Sequence, residues 1–439
     1  MREKYKWSRY NVIINDIDGN HIIYNIISNK YVILKKNLML DITVLKKGAY
    51  NNIEIDSKLI DNGIVVPKDI DETVVATEHI QDEIDATYMN LFIVPTRFCN
   101  FDCVYCYEEH KPLYMSKDVQ DNIITFIENN LYKYNGLIVT WFGGEPTVSK
   151  EIVRNLSTRI KNVCKMMKKP YYAAINTNGY ELDVELMKEF LSFNIRYFQI
   201  CLDGTKEIHN RHRKHIKDSN SFDKILNNLI SIKNEINRGF KIVIRSNITS
   251  EILDVMDEYV DLLYKHFGDD DRFYLYWERA KDLGGERVKK ISNNLLDDEK
   301  KFIQYTIKAS KYGMKFDYNQ FAAIGGMFCA LYRKNTLLVD YDGTIQKCTC
   351  VFDDEAIHLG KLTNGSMIFD KPKYVHWMNA ATRECKNCEI YPACGGVSCP
   401  ACEHDSKKTR DCNQLKDIYY NIILLNYYSR REHEYICEI

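Results

Sequence analysis

No stretch of this 439-residue chain reaches the run of about eighteen apolar residues that a membrane-spanning helix needs. The chain also lacks an excess of either charge. Its 60 Lys and Arg balance 61 Asp and Glu, for a formal net charge of −1, so no global field draws it to nucleic acid or to a membrane surface. The opening residues MREKYKWSRY carry charge with no apolar run behind them, so no signal peptide is expected. There is no internal repeat of fixed period and no low-complexity segment. These absences lead us to expect a cytoplasmic globular protein of two or three domains, with no nucleic-acid or membrane partner. What is plentiful is cysteine. A reducing compartment disfavours disulfides among the 15 residues, which leaves metal binding as the better explanation. Three of them fall within Cys99–Cys106 and nine between Cys329 and Cys412.

Hydrophobic periodicity divides the chain at about 88 and 315. In residues 1–88, Val12–Ile14, an Asp18-Gly19 turn and His21–Tyr24 read as a β-hairpin, with Tyr31–Leu34 as a further strand. This is either a small α/β cap or a peptide-recognition domain that offers a strand edge. In residues 89–315, apolar runs at Leu91–Val94, Leu137–Phe142, Tyr172–Thr177, Tyr197–Leu202, Lys241–Ser246 and Phe273–Trp277 alternate with helical periodicity. One helix is capped by Ser116 and another covers Ser221–Ile236. Six strand–helix repeats predict an α/β fold with a parallel sheet, a partial (β/α)6 TIM-like barrel whose working residues follow the strand C-termini. Residues 316–439 are irregular and Cys-rich, closing with a helix whose Leu415, Ile418, Ile422 and Leu425 share a face.

The segment Cys99-Asn-Phe-Asp-Cys103-Val-Tyr-Cys106 directly follows the first barrel strand. A mononuclear zinc site would need a fourth ligand, and only His110 lies close in sequence. A cubane iron–sulfur cluster normally takes four thiolates, so three leave one iron open. The C-x3-C-x2-C spacing, with Tyr105 before the last Cys, resembles the cluster loop of the radical S-adenosylmethionine (SAM) superfamily. That resemblance implies a [4Fe–4S] cluster held by Cys99, Cys103 and Cys106, with SAM on the open iron.

Other motifs extend the resemblance. Gly143-Gly144-Glu145-Pro146 after the second strand is similar to the GGEP turn that holds the SAM amino group; paired glycines allow close approach to the backbone. Asn176-Thr177-Asn178-Gly179 resembles the TNG turn and implies a SAM-binding role for Asn178. Gln199–Gly204 resembles an S-L-D-G segment, with Cys201 in place of the usual Ser. The basic run His209-Asn-Arg211-His-Arg213 could face a carboxylate or solvent. On the fifth strand, Arg245 offers a fork for a carboxylate and Asn247 a donor–acceptor pair for ribose. Tyr105 would pack near adenine. Glu278 and the His209–His215 loop are open candidates for a general base.

The C-terminal cysteines resemble a SPASM extension, which carries two auxiliary [4Fe–4S] clusters. Cys385, Cys388, Cys394 and Cys412 would hold the outer one. Cys329, Cys348 and either Cys399 or Cys402 would hold the inner one, and Cys350 is an extra thiol beside it. The alternative for the two C-x2-C pairs is a zinc ribbon, while Cys164 and Cys437 match no pattern.

The resemblance as a whole implies a peptide maturase, similar to the thioether-forming sactipeptide and ranthipeptide enzymes. Such an enzyme would abstract hydrogen from a Cys-containing precursor whose leader binds the N-terminal domain, with flavodoxin or ferredoxin as electron donor. Two other readings stand beside it. One is an anaerobic sulfatase-maturing enzyme, which typically has Asp where this chain has Thr349. The other is a non-catalytic zinc-ribbon adaptor, which would leave the Cys99–Cys106 loop and the Gly143–Pro146 turn unexplained.

Overall fold

The computed structural model describes residues 4–16, 18–36, 46, 53–280, 287, 299–327, 332–350, 355–378, 383–396, 412–429 and 436–438. The chain divides into two compact units. One comprises Met1–Asp85, Tyr318–Tyr332 and Trp377–Ile439, and the other Ala86–Asp317 and Arg333–His376. No helix among the described residues is long and apolar enough to cross a membrane.

In the first unit β1 (Tyr5–Trp7) comes before an antiparallel meander of β2 (Asn11–Asn15), β3 (His21–Asn25) and β4 (Lys30–Leu34). The expected hairpin is present. Its turn forms because Asp16 accepts from the Asp18 and Asn20 amides at 2.9 and 2.8 Å, and Gly19 supplies a φ of +84°. β5 (Val65–Pro67) pairs with β1, and the strand Ile436–Glu438 runs parallel to β4. Alternation gives the meander two apolar faces. Ile23, Val32 and Leu34 pack with Leu59 and Ile64, whereas Val12, Ile22, Tyr24 and Tyr31 pack with the helix Cys412–Ser429.

That helix buries Leu415, Tyr419 and Ile423, leaving Ile418 and Ile422 half-buried, so the expected apolar face is rotated. The cause is the tyrosine. Tyr419 and Tyr24 both donate their hydroxyls to the Ala322 carbonyl, at 2.7 and 2.9 Å, which lets a large ring be buried with its polar tip satisfied.

The second unit is built on six parallel strands: β6 (Tyr88–Ile93), β8 (Gly136–Trp141), β9 (Tyr171–Thr177), β10 (Ile195–Cys201), β12 (Lys241–Ile248) and β13 (Phe273–Arg279). They lie in sequence order, with β6 and β13 not paired to each other, as a partial barrel requires. One face of each strand is apolar and covered, as with Leu137, Val139 and Trp141 or Phe273, Leu275 and Trp277. The alternate positions, among them Asn176, Gln199, Arg245 and Glu278, line a cavity. Ser116 caps the helix Lys117–Asn130 by accepting from the Val119 amide at 3.3 Å.

Two further features position the site. β7 (Phe101–Cys103) pairs antiparallel with β11 (Arg213–His215), setting Cys103 opposite Arg213. At the open edge, β14 (Thr336–Val339) runs parallel to β6 and turns into β15 (Thr344–Gln346), β16 (His358–Thr363) and β17 (Ser366–Phe369). The stretch 316–439 is therefore shared between the two units. The β6–β14 ladder ties the described part of 333–376 to the parallel sheet, while the described parts of 318–332 and 377–439 belong to the unit of the N-terminal strands.

Candidate active site

The cavity, of about 500 Å³, opens at the C-terminal ends of the parallel strands and lies wholly within the second unit. Its lining brings together Cys99, Cys103, Cys106, Tyr105, Gly143, Gly144, Glu145, Asn178, Arg245 and Asn247. Of the cluster and cofactor residues expected in the barrel, Pro146 alone is not in that lining; of the base candidates Glu278 lines it, and His209, His212 and His215 do not. Pro146 is buried at the start of the short 3-10 helix Pro146–Ser149, where its fixed φ suits the first turn.

The cysteine loop is held tightly. The Cys106 amide donates to the Cys103 carbonyl at 3.1 Å, and Asn100 accepts from the Asn178 side chain at 2.7 Å. Burial pushes all three thiols up: Cys103 to about 11 even against the Arg213 charge, Cys106 to about 12, and Cys99 well above the usual range. Thiols in this setting ionise when a metal centre supplies the compensating charge. His110 sets its Nε2 3.4 Å from Cys106 Sγ, and burial, followed by the Arg287 charge, lowers its pKa to about 4. Among the described residues, no three His, Cys, Asp or Glu side chains converge to hold one ion. A cubane makes no such demand, since each thiolate sits on its own iron. The donor set fits a cluster.

The glycine pair has a packing role that the sequence did not reveal. A Cβ on Gly143, at φ +103°, would lie 2.5 Å from Val94 Cγ1 and 2.8 Å from the Thr96 carbonyl oxygen. One on Gly144 would lie 2.7 Å from the Phe98 carbonyl carbon and 2.8 Å from the Arg97 oxygen. Both glycines thus let the second loop lie directly on the cysteine loop, where the Glu145 amide donates to the Phe98 carbonyl at 2.9 Å. The Glu145 carboxylate is fully engaged within the protein. It accepts from the Thr147 amide and hydroxyl at 2.9 and 2.6 Å, the Thr177 hydroxyl at 2.7 Å and the Asn178 amide at 2.7 Å. Burial pushes its pKa up against these four donors.

Asp203 organises the opposite wall. It accepts from the Asn247 amide at 2.9 Å and bonds to the Tyr105 hydroxyl, which in turn accepts from Arg213 Nη1 at 2.7 Å. Burial works against the Arg213 charge, yet Cys103, Tyr105, Cys201 and Asp203 around it hold its pKa above the ordinary value. Its Nε is buried and meets no hydrogen-bond partner among the described residues. The basic run is therefore not a solvated loop: His209, His212 and Arg213 are buried, and Arg213 reaches the cavity. Arg245 Nε donates to Asn247 Oδ1 at 3.4 Å, and its guanidinium lies over the Tyr276 ring. Glu278, accepting from Tyr276 at 2.6 Å, also lines the cavity, as do Cys201, Thr349 and Cys350.

The C-terminal cysteines are placed in part. In the first unit Cys385, Cys388 and Cys394 share one tight segment, where the Cys388 amide donates to the Cys385 carbonyl at 2.9 Å. Cys412 begins the closing helix, and Lys416 one turn later lies within electrostatic reach of both Cys388 and Cys412. Cys348 is buried in the second unit, its sulfur accepting from the Cys350 amide at 3.3 Å. Cys329, Cys399 and Cys402 lie outside the described residues.

Comparison with known proteins gives a match to the radical SAM superfamily over residues 93–259. Among curated relatives, Fe-coproporphyrin III synthase of Methanosarcina barkeri is 26% identical over 168 residues, 38% of this chain and 39% of that protein. The chain thus spans about two fifths of that relative's length. A cysteine-type anaerobic sulfatase-maturating enzyme of Clostridium novyi is 24% identical over 331 residues, 67% of this chain and 83% of that one. Among solved structures, native anSMEcpe with bound AdoMet superposes with a TM-score of 0.58 at 19% identity, covering 77% of this chain and 98% of the other. Streptococcus suis SuiB bound to precursor peptide SuiA gives 0.50 at 16% identity, covering 93% and 99%. These two likenesses are likenesses of fold.

Proposed function

We propose that this chain, whose residues 93–259 match the radical SAM superfamily, is a peptide maturase, one that abstracts hydrogen from a Cys-containing precursor and forms a thioether or related crosslink. The observation that carries the reading is the cavity itself, where three burial-raised thiols face the Gly143–Glu145 turn and the Arg245–Asn247 strand end. Cys99, Cys103 and Cys106 would hold the [4Fe–4S] cluster. Asn178, Arg245, Asn247, Tyr105 and the backbone of Gly143–Gly144 would hold SAM. When bound and reduced, the cluster would supply one electron for breaking the S–C5′ bond of SAM, with methionine as the leaving group. The chain's own work is orientation and exclusion of water. Asp203 fixes both Tyr105 and the Asn247 backbone, and Arg213, which lines the cavity, would offer its charge to a ligand's anionic group.

Three features support a peptide substrate of the crosslinked kind. SuiB, whose solved structure holds a precursor peptide, shares the fold over 93% of this chain, and the strands of residues 1–88 would bind a leader. Thr349 lines the cavity where a sulfatase-maturing enzyme typically places Asp. The SPASM-like cysteines would hold two auxiliary clusters able to accept the leftover electron, with a flavodoxin or ferredoxin as donor. The second reading, formylglycine formation on a sulfatase, draws on the 331-residue match to the sulfatase-maturating relative. Mass spectrometry separates the two. A small Cys-containing peptide encoded beside the gene is incubated anaerobically with reconstituted protein, SAM and reductant. Loss of two hydrogens, with thiols no longer alkylatable, is expected; replacement of a Cys sulfur by an aldehyde oxygen would establish the second reading instead.

A further inference from the structure

Two contacts fasten the β14–β15 hairpin and the segment that follows it to the cysteine loop, one at each end of that loop. Arg97, two residues before Cys99, lays its guanidinium on Asp340. Its Nε donates to Oδ1 at 2.9 Å and to Oδ2 at 3.1 Å, and Nη2 pairs with Oδ2. Both side chains are buried, 6% and 4% exposed. Tyr107, next to Cys106, donates its hydroxyl to the Thr349 carbonyl at 2.6 Å. Just before the first of these, the Val94 amide continues the β6–β14 ladder by donating to the Val339 carbonyl at 3.0 Å. The outcome is that Thr349 and Cys350 stand in the same cavity wall as Tyr107 and face the space that Cys99, Cys103 and Cys106 border.

A buried ion pair adds little stability compared with apolar residues of the same volume, because both charges are desolvated. What a fork-shaped pair does supply is fixed geometry. We propose that Arg97–Asp340 and Tyr107–Thr349 are positioning contacts. They set the spacing between the cysteine loop and the Thr349–Cys350 wall, and so where a substrate side chain sits relative to the group held by the loop. This rests on the radical SAM reading. None of the four residues needs to touch the reacting atoms through these contacts. Their effect is on register, and displacement of reacting groups by about 1 Å can lower a rate by about 10²-fold.

The test uses the full chain with three variants: Asp340→Asn, Tyr107→Phe, and the double Arg97→Met/Asp340→Leu, which removes both charges and leaves none buried alone. The first readout needs no cluster: amide exchange of metal-free protein, followed over residues 344–350. The second is the ratio of 5′-deoxyadenosine released to peptide modified, using the small Cys-containing peptide encoded beside the gene. We expect exchange at Cys348–Cys350 to rise about tenfold in the double variant, and the ratio to rise at least about tenfold, with peptide-free SAM cleavage within about twofold of wild type. Unchanged exchange and an unchanged ratio in the folded double variant would overturn the proposal. Equal loss of peptide-free cleavage would also overturn it, since the contacts would then be holding the cluster loop alone. If the wild-type protein cleaves no SAM, the functional reading fails, and the exchange measurement still decides whether the contacts set the wall.

Discussion

Glu145→Gln is the most informative single substitution in the barrel. The carboxylate is 1% exposed and takes four hydrogen bonds, three on Oε1 and one, from the Asn178 amide, on Oε2. A glutamine can keep its oxygen toward the three donors only by turning its NH2 toward Asn178. That leaves a buried amide unsatisfied, at about 1–3 kcal/mol, and weakens the other three bonds from charge-assisted to neutral by up to about 1 kcal/mol each. Burial already opposes the charge, as its raised pKa records, so neutralisation returns part of this. The net is a local loss of about 2–4 kcal/mol, equivalent to roughly 30- to 1000-fold faster exchange of the Asn178 and Thr147 amides. Hydrogen exchange on metal-free protein reads it directly. Unchanged protection at both amides would refute the bracket that joins the Gly143–Glu145 turn to the end of β9.

Other outcomes follow from the same geometry. Gly144→Ala should strain the second loop off the Phe98 backbone by about 1–3 kcal/mol, read as lower thermal stability and less iron bound on reconstitution. His209 is buried and neutral, accepting from the Asp203 amide at 3.1 Å, and burial holds its pKa well below 6.5. Its contribution is thus present above pH 6.5 and is lost as pH falls from there toward the folded pKa. His209→Gln should flatten the acid side of a stability–pH profile, and an unaltered profile would contradict this. Tyr419→Ala should cost about 3–5 kcal/mol and Ile418→Ala clearly less, as measured by denaturant midpoints; equal effects would restore the helix face expected from sequence.

The barrel was legible because apolar runs alternate with helical periodicity along 89–315 and its motifs sit just after strand ends. Cys99–Cys106, Gly143–Glu145, Asn178 and Arg245–Asn247 converge on one cavity, as the radical SAM resemblance and their places after strand ends implied. What was not legible depends on contacts distant in sequence. Arg213 looked like part of a charged surface run, and only the β7–β11 pairing turns it inward. Gly143 and Gly144 looked like room for a ligand, whereas the neighbouring loop occupies that side. The closing helix was rotated by Tyr419, which counts as half-polar until its hydroxyl meets the Ala322 carbonyl. Thr349 and Cys350 were assigned to a separate C-terminal region, since parallel pairing of β14 with β6 leaves no local signature.

The central claim is that Cys99, Cys103 and Cys106 together hold a cluster that cleaves SAM. The direct measurement is 5′-deoxyadenosine release under anaerobic reducing conditions, wild type against Cys106→Ala, with iron content recorded for both. The account predicts release by the wild type and none above background by the variant, with a cluster's worth of iron lost. Release by Cys106→Ala at the wild-type rate would contradict it.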